Sequence, residues 1–228
     1  MGVMKNLLLI SLLYLASPSF PGVAAAQRIT LSFDQAIEVI QKGIRSPGVS
    51  DRQAWEASYT VLGTAKATPE RVEPFKELLV KEITRLDAWD AHTEASGEYK
   101  LFLIRALFPL ADPELVPLFI RQCQHGSFVK EGFAKVGRPA IPALIDALLD
   151  GRHTTCAAMS LAAIASEGLG RASRLSAEEK NLLRRDLQEL VLPALERALV
   201  VARKEERLVG RAKRITESID EIRDLLSQ

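Results

Sequence analysis

The sequence predicts an all-α protein built from stacked antiparallel helix pairs. Three observations lead there. Apolar residues recur at helical spacing along most of the chain, capping signals punctuate it, and the alternating apolar and polar runs of a strand are essentially missing.

The chain opens on "MGVMKNLLLISLLYLASPSFPGVAAAQ". Lys5 precedes an apolar run from Leu7 to Ala16, Pro18 and Pro21 interrupt helix, and Ala24 and Ala26 supply small residues for cleavage. This is the pattern of a secretory signal peptide over residues 1–26. The apolar run falls short of the about 20 residues that a bilayer span needs, and no cysteine closes it as a lipoprotein would require. The expectation is a periplasmic or secreted protein with no stable membrane insertion after cleavage. Residues 27–228 then form a single domain, long enough for a sizeable core or one extended array. With 30 basic and 29 acidic residues the formal charge is +1, which offers no electrostatic case for a nucleic-acid partner.

The helices follow in order. Ser32 with Gln35 and Ser50 with Gln53 have capping-box spacing, each ahead of an apolar-periodic run. Thr68-Pro69-Glu70 places a cap residue, a proline at the first helical position and an acid near the positive helix end, and Asp112-Pro113-Glu114 repeats the device. Val72, Phe75, Leu79 and Ile83 form one stripe; Ile141, Leu144, Ile145 and Leu148 form another. Each stripe needs a neighbouring helix to cover it. Ser176 with Glu179 caps a later helix. In the last one Leu208, Ala212, Ile215, Ile219, Ile222 and Leu226 alternate spacings of four and three, a heptad seam. It is short for a coiled coil, so it reads as an end cap, with a dimer through this C-terminal helix as its other use.

A proline recurs. Pro74, Pro117, Pro142 and Pro193 each stand one or two places after an apolar residue and before an apolar run of helical period. One unit is repeated, at uneven intervals. The expectation is that each proline, sitting about one turn inside a helix, removes one backbone hydrogen bond and bends the axis.

The segment "DPELVPLFIRQCQHGSFVKEGFAKVGRPAIPALIDALLDGRHTTCAAMSLAAIA", Asp112 to Ala165, resembles HEAT repeats, in the short form named for the phycobilisome lyases. A unit of that family is a helix with an early proline, a short turn, and an alanine-rich second helix ending in a small residue. Phe128 to Gly137 and Thr154 to Ala165 look like two such second helices, with Gly132 departing from the pattern. The resemblance implies an α-solenoid of HEAT/armadillo type: a right-handed stack whose inner helices present an elongated surface to another protein.

Nothing matches a zinc-protease helix, a nucleophile elbow, a phosphate loop or a dinucleotide fingerprint. "EGLGRAS", Glu167 to Ser173, reads as a connecting loop. Cys123 and Cys156, near one edge of the stack in an exported chain, suggest a disulfide; otherwise they are small core residues. With His125 and His153 they form C-x-H and H-x-x-C, a set that could close a tetrahedral zinc site. "LDAWDAHTEASGEY" gathers Asp87, Asp90, His92, Glu94 and Glu98 around Trp89, side chains able to bind metal or move protons, though a solvated acidic connection accounts for them. Trp55 and Tyr59, four apart, read as packing residues rather than a carbohydrate platform. The basic run from Arg203 to Arg214 is interrupted by Glu205 and Glu206 and reads as a solvated face.

The resulting expectation is an exported, non-catalytic scaffold that binds another protein and takes no cofactor. It is a monomer unless the last helix pairs. The alternative is a metal-dependent hydrolase or lyase-like protein using Cys123, His125, His153 and Cys156.

Overall fold

A computed structural model describes residues 31–62, 69–88, 94–123, 127–204 and 209–228. The leader over residues 1–26, Thr68, Trp89, Asp90, His92, His125 and Leu208 lie outside the described residues. Every described element is helical.

Local chemistry sets the helix starts. Ser32 accepts from the Gln35 amide while the Gln35 side chain accepts from the Ser32 amide, opening α1 (Phe33–Lys42). Ser50 and Gln53 exchange the same bonds ahead of α2 (Asp51–Leu62). After α3 (Pro69–Asp87) and α4 (Glu94–Leu107) a 3-10 turn, Phe108–Leu110, ends on Ala111 in the left-handed region (φ 51°). The Asp112 carboxylate then caps a second 3-10 turn, Pro113–Leu115, which leads into α5 (Val116–Gln122). The series continues with α6 (Lys130–Val136), α7 (Ile141–Leu149), α8 (Thr154–Leu169), α9 (Ala177–Asp186), α10 (Leu192–Arg203) and α11 (Val209–Leu226). Ser176 and Glu179 complete the capping box of α9.

The four prolines occupy two settings. Pro74 alone lies inside an α-helix. Pro117, Pro142 and Pro193 are each the second residue of their α-helix, but a 3-10 or π turn runs into each without a break, so each ring still stands a helical turn or more inside a continuous helical run. The helix entering Pro142 is a 3-10 turn, Arg138–Ala140, and the one entering Pro193 is a π turn, Leu187–Val191, that joins α9 to α10. The hydrogen-bond register thus changes in the turn that leads into each of these rings. All four prolines are exposed.

Packing links each helix to its neighbours: α1 with α2 and α3, α2 with α4, α3 with α4, α5 with α6 and α7, α6 with α8, α7 with α8 and α10, and α8 and α10 with α11. The 3-10 turn Phe108–Leu110 bridges α4 and α6. Buried apolar residues from Ala36 to Ile222 form one continuous cluster. Both predicted stripes face it: Phe75, Leu79 and Ile83 are buried, as are Ile141, Leu144 and Leu148, while Val72 and Ile145 are half-buried. In α11, Ile215, Ile219 and Ile222 are buried, and the helix packs on α8 and α10. The seam is used within the chain.

Two glycines set close approaches. A Cβ on Gly132 would stand 2.6 Å from Phe108 Cδ1 and 3.0 Å from Phe119 Cε2, so two rings leave no room for an alanine there. A Cβ on Gly168 would overlap Leu183 Cδ2. That contact belongs to a helix and not to the loop read from the sequence: α8 runs on through Leu169 because α9 packs over its last turn.

Candidate functional site

Polar bonds between helices show how neighbouring helices run. Near the start of α3, Lys76 Nζ reaches Asp112 (2.8 Å) and Glu114 (2.9 Å), just ahead of α5, and Glu73 (2.9 Å) on its own helix. At its end, Asp87 accepts from Gln122 Nε2 (2.8 and 3.1 Å), the last residue of α5. Start meets start and end meets end, so α3 and α5 run parallel. Hydrogen bonds donated to Asp112, Glu73 and Glu114 push the Lys76 pKa above its ordinary value, and the ammonium holds the Asp112 carboxyl below the usual carboxylate range. Lys135, late in α6, pairs with Glu167, late in α8 (2.5 Å), and Arg138 ahead of α7 pairs with Asp186 ahead of α10.

The sulfurs of Cys123 and Cys156 are bonded at 2.07 Å, with the Cα atoms 5.6 Å apart, tying the end of α5 to the first turn of α8. This changes the metal reading. A bonded sulfur offers no thiolate, so two of the four zinc candidates are occupied in a crosslink. His125 lies outside the described residues, and His153 stands at the N-cap of α8 without a side-chain capping bond. In the turn before it, Asp150 accepts from the Arg152 amide (2.8 Å) and side chain (3.1 Å); these bonds, the amide first, hold its carboxyl below the usual range. Among the described residues no three His, Cys, Asp or Glu side chains converge as metal ligands.

The acidic connection also divides. Asp87 is bound to Lys100 (2.5 Å) and Gln122, inside the stack. Glu98 accepts from Trp55 Nε1 at 3.0 Å on another face. Glu94 is exposed, and Asp90 and His92 lie outside the described residues. Nearer the core, Glu82 receives Arg85 (2.6 and 2.8 Å) and the Tyr99 hydroxyl (3.2 Å); burial, then the Glu82 charge, pushes the Tyr99 hydroxyl pKa up. Arg85 also reaches the Ile44 carbonyl at 3.5 Å, locking the α1–α2 turn onto α3.

An aromatic face remains. Trp55 and Tyr59 on α2 stack with centroids 5.4 Å apart and planes 4° from parallel. Phe102 on α4 meets both edge-on, at 5.7 Å and 5.9 Å. Tyr59 keeps 52% of its surface exposed, whereas Trp55 and Phe102 are half-buried. Trp55 thus packs as the sequence suggested, but Tyr59 belongs to the surface. Phe102 was not legible as its partner: one aromatic in an apolar run does not reveal that α4 lies beside α2. The face presents three packed rings with the Tyr59 hydroxyl and the Glu98 carboxylate beside them.

Compared with protein-family models, curated proteins and solved structures, the chain has no match.

Proposed function

We propose that this chain is an exported, non-catalytic α-solenoid of HEAT-like repeats that binds another protein through its row of second helices. The observation that carries the reading is the Trp55–Tyr59–Phe102 face, with Tyr59 half exposed in a rigid stack. Aromatic rings held this way supply contact area at little cost in conformational entropy. The pairing α1–α2, α3–α4, α5–α6, α7–α8 and α10–α11 supports a solenoid, with α1 on α3, α5 on α7 and α7 on α10 among the first helices and α2 on α4, α6 on α8 and α8 on α11 among the second. The parallel run of α3 and α5 supports it too, since stacked units repeat by translation. Export is favoured by the leader pattern over residues 1–26 and by the disulfide, which persists in oxidising compartments. The metal-dependent alternative loses two of its ligands to that bond.

A benzophenone-bearing residue replacing Tyr59 tests the reading in cells that make the protein. Irradiation should give a discrete protein adduct, which Phe102→Ala diminishes and which the same probe at exposed Glu77 on α3 does not give. Equal adducts from both positions, or none from position 59, would refute it. Tyr59→Ala itself should leave the melting temperature nearly unchanged, because a largely exposed ring contributes little to folding.

A further inference from the structure

Helix α4 carries a cation that the fold does not answer. Arg105 is half-buried, and its Nε is shut away from solvent with no hydrogen-bond partner. Among the described residues no carboxylate pairs with its guanidinium. Other cations that link neighbouring units are matched: Lys76 with Asp112, Lys135 with Glu167, Arg138 with Asp186. A charged donor withdrawn from water without an acceptor is costly, and a ligand that brings the acceptor relieves that cost.

The position of Arg105 says what kind of ligand that is. Glu98, Phe102 and Arg105 stand at i, i+4 and i+7 of α4, so they share one face of the helix. On that face Phe102 meets Trp55 and Tyr59 of α2. The two ends differ in charge and in satisfaction. Glu98 accepts from Trp55 Nε1 at 3.0 Å, whereas Arg105, one turn beyond Phe102, has its Nε unbonded.

We infer that the partner of this face brings a carboxylate to Arg105 and lays an apolar side chain on Tyr59. This rests on the protein-binding reading of the Trp55–Tyr59–Phe102 face and names the chemistry of its occupant: a protein segment with an acid a few residues from an apolar anchor. A guanidinium offers its donors as a planar fork that matches a carboxylate, and beside packed rings, partly out of water, the pair is stronger than on an open surface. The rings of Tyr59 and Phe102 are 5.9 Å apart, and Arg105 stands about 5–6 Å further along α4. An extended segment covers the resulting span of about 12 Å with three or four residues. Glu98 repels an acid at the other end, so charge sets the direction in which the segment lies.

The benzophenone probe at position 59, carried in the parent chain and in Arg105→Gln and Arg105→Glu chains, tests this in cells that make the protein. Loss of the charge should cut the yield of adduct about tenfold and its reversal should cut it further, with the melting temperature unchanged. Mass spectrometry of the parent adduct should place Asp, Glu or a terminal carboxylate within four residues of the linked position. Full yield from the Arg105→Glu chain overturns the inference, and so does a linked segment with no carboxylate in that reach; in both cases the adduct itself upholds the protein-binding reading. No adduct from the parent overturns both. Should neither variant fold, salt decides: the parent's yield in extract should fall severalfold between about 50 and 500 mM, and a yield indifferent to salt overturns the inference.

Discussion

The same substitution at two glycines should act with opposite sign. Gly97 lies in α4 with nothing within 4 Å of an added Cβ, and Gly132 lies in α6 against Phe108 and Phe119. In a helix, Gly→Ala removes backbone freedom from the unfolded chain and stabilises by about 1 kcal/mol. Gly97→Ala should show that gain. At Gly132 the new methyl would meet Phe108 carbons at 2.6 and 2.7 Å and Phe119 at 3.0 Å. These rings are buried, and they meet each other edge-on at 5.4 Å, with Phe133 edge-on to Phe119 at 5.7 Å. Neither ring can turn without disturbing the next. Overpacking of this kind costs about 3 kcal/mol, the upper part of its usual range because two rings are hit. Net of the helix gain, Gly132→Ala should destabilise by about 2 kcal/mol, so the two variants differ by about 3 kcal/mol. At about 2–4 °C per kcal/mol for a domain of this size, calorimetry should place their melting temperatures roughly 10 °C apart. A Gly132→Ala protein as stable as the parent would refute the claim that the ring stack dictates this residue.

Two further predictions concern links between units. Removing the Cys123–Cys156 bond by the double Cys→Ser change should lower stability by about 3.5 kcal/mol in the chain-entropy model, for a sequence separation of 33, read as a fall in denaturant midpoint; an unchanged midpoint would mean that packing alone holds α5 to α8. Because its pKa is lowered on folding, Asp112 contributes stability that is fully present above the unfolded carboxylate value of about 4 and is lost as pH falls through the lower folded value. Lys76 behaves inversely, its contribution fully present below about 10 and lost as pH rises through its raised folded value. Lys76→Met should therefore cost about 1 kcal/mol near neutral pH, the worth of a partly exposed network, and flatten the acid limb of stability against pH; an unaltered acid limb would count against the pair.

Helix starts were legible because a cap acts over three residues: Ser32, Ser50 and Ser176 bond as their spacing predicts. The core stripes were legible for a similar reason, since period alone decides which side chains share a face. The prolines were legible as lying a turn inside helical runs, but whether Pro142 follows α or 3-10 bonds depends on the turn before it, where Arg138–Ala140 is 3-10. Gly132 looked like a flaw in a repeat until Phe108, a turn away from α4, was found above it.

The sequence by itself thus determined the all-helical class, the caps and the buried faces, each governed by interactions among residues a few places apart. Only the tertiary structure decided that Cys123 meets Cys156, that Tyr59 and Phe102 share one surface, that Asp87 and Glu98 serve different faces, and that α11 covers α8. Those outcomes depend on how helices distant in the chain stack, and helical period says which face is buried without saying which neighbour buries it.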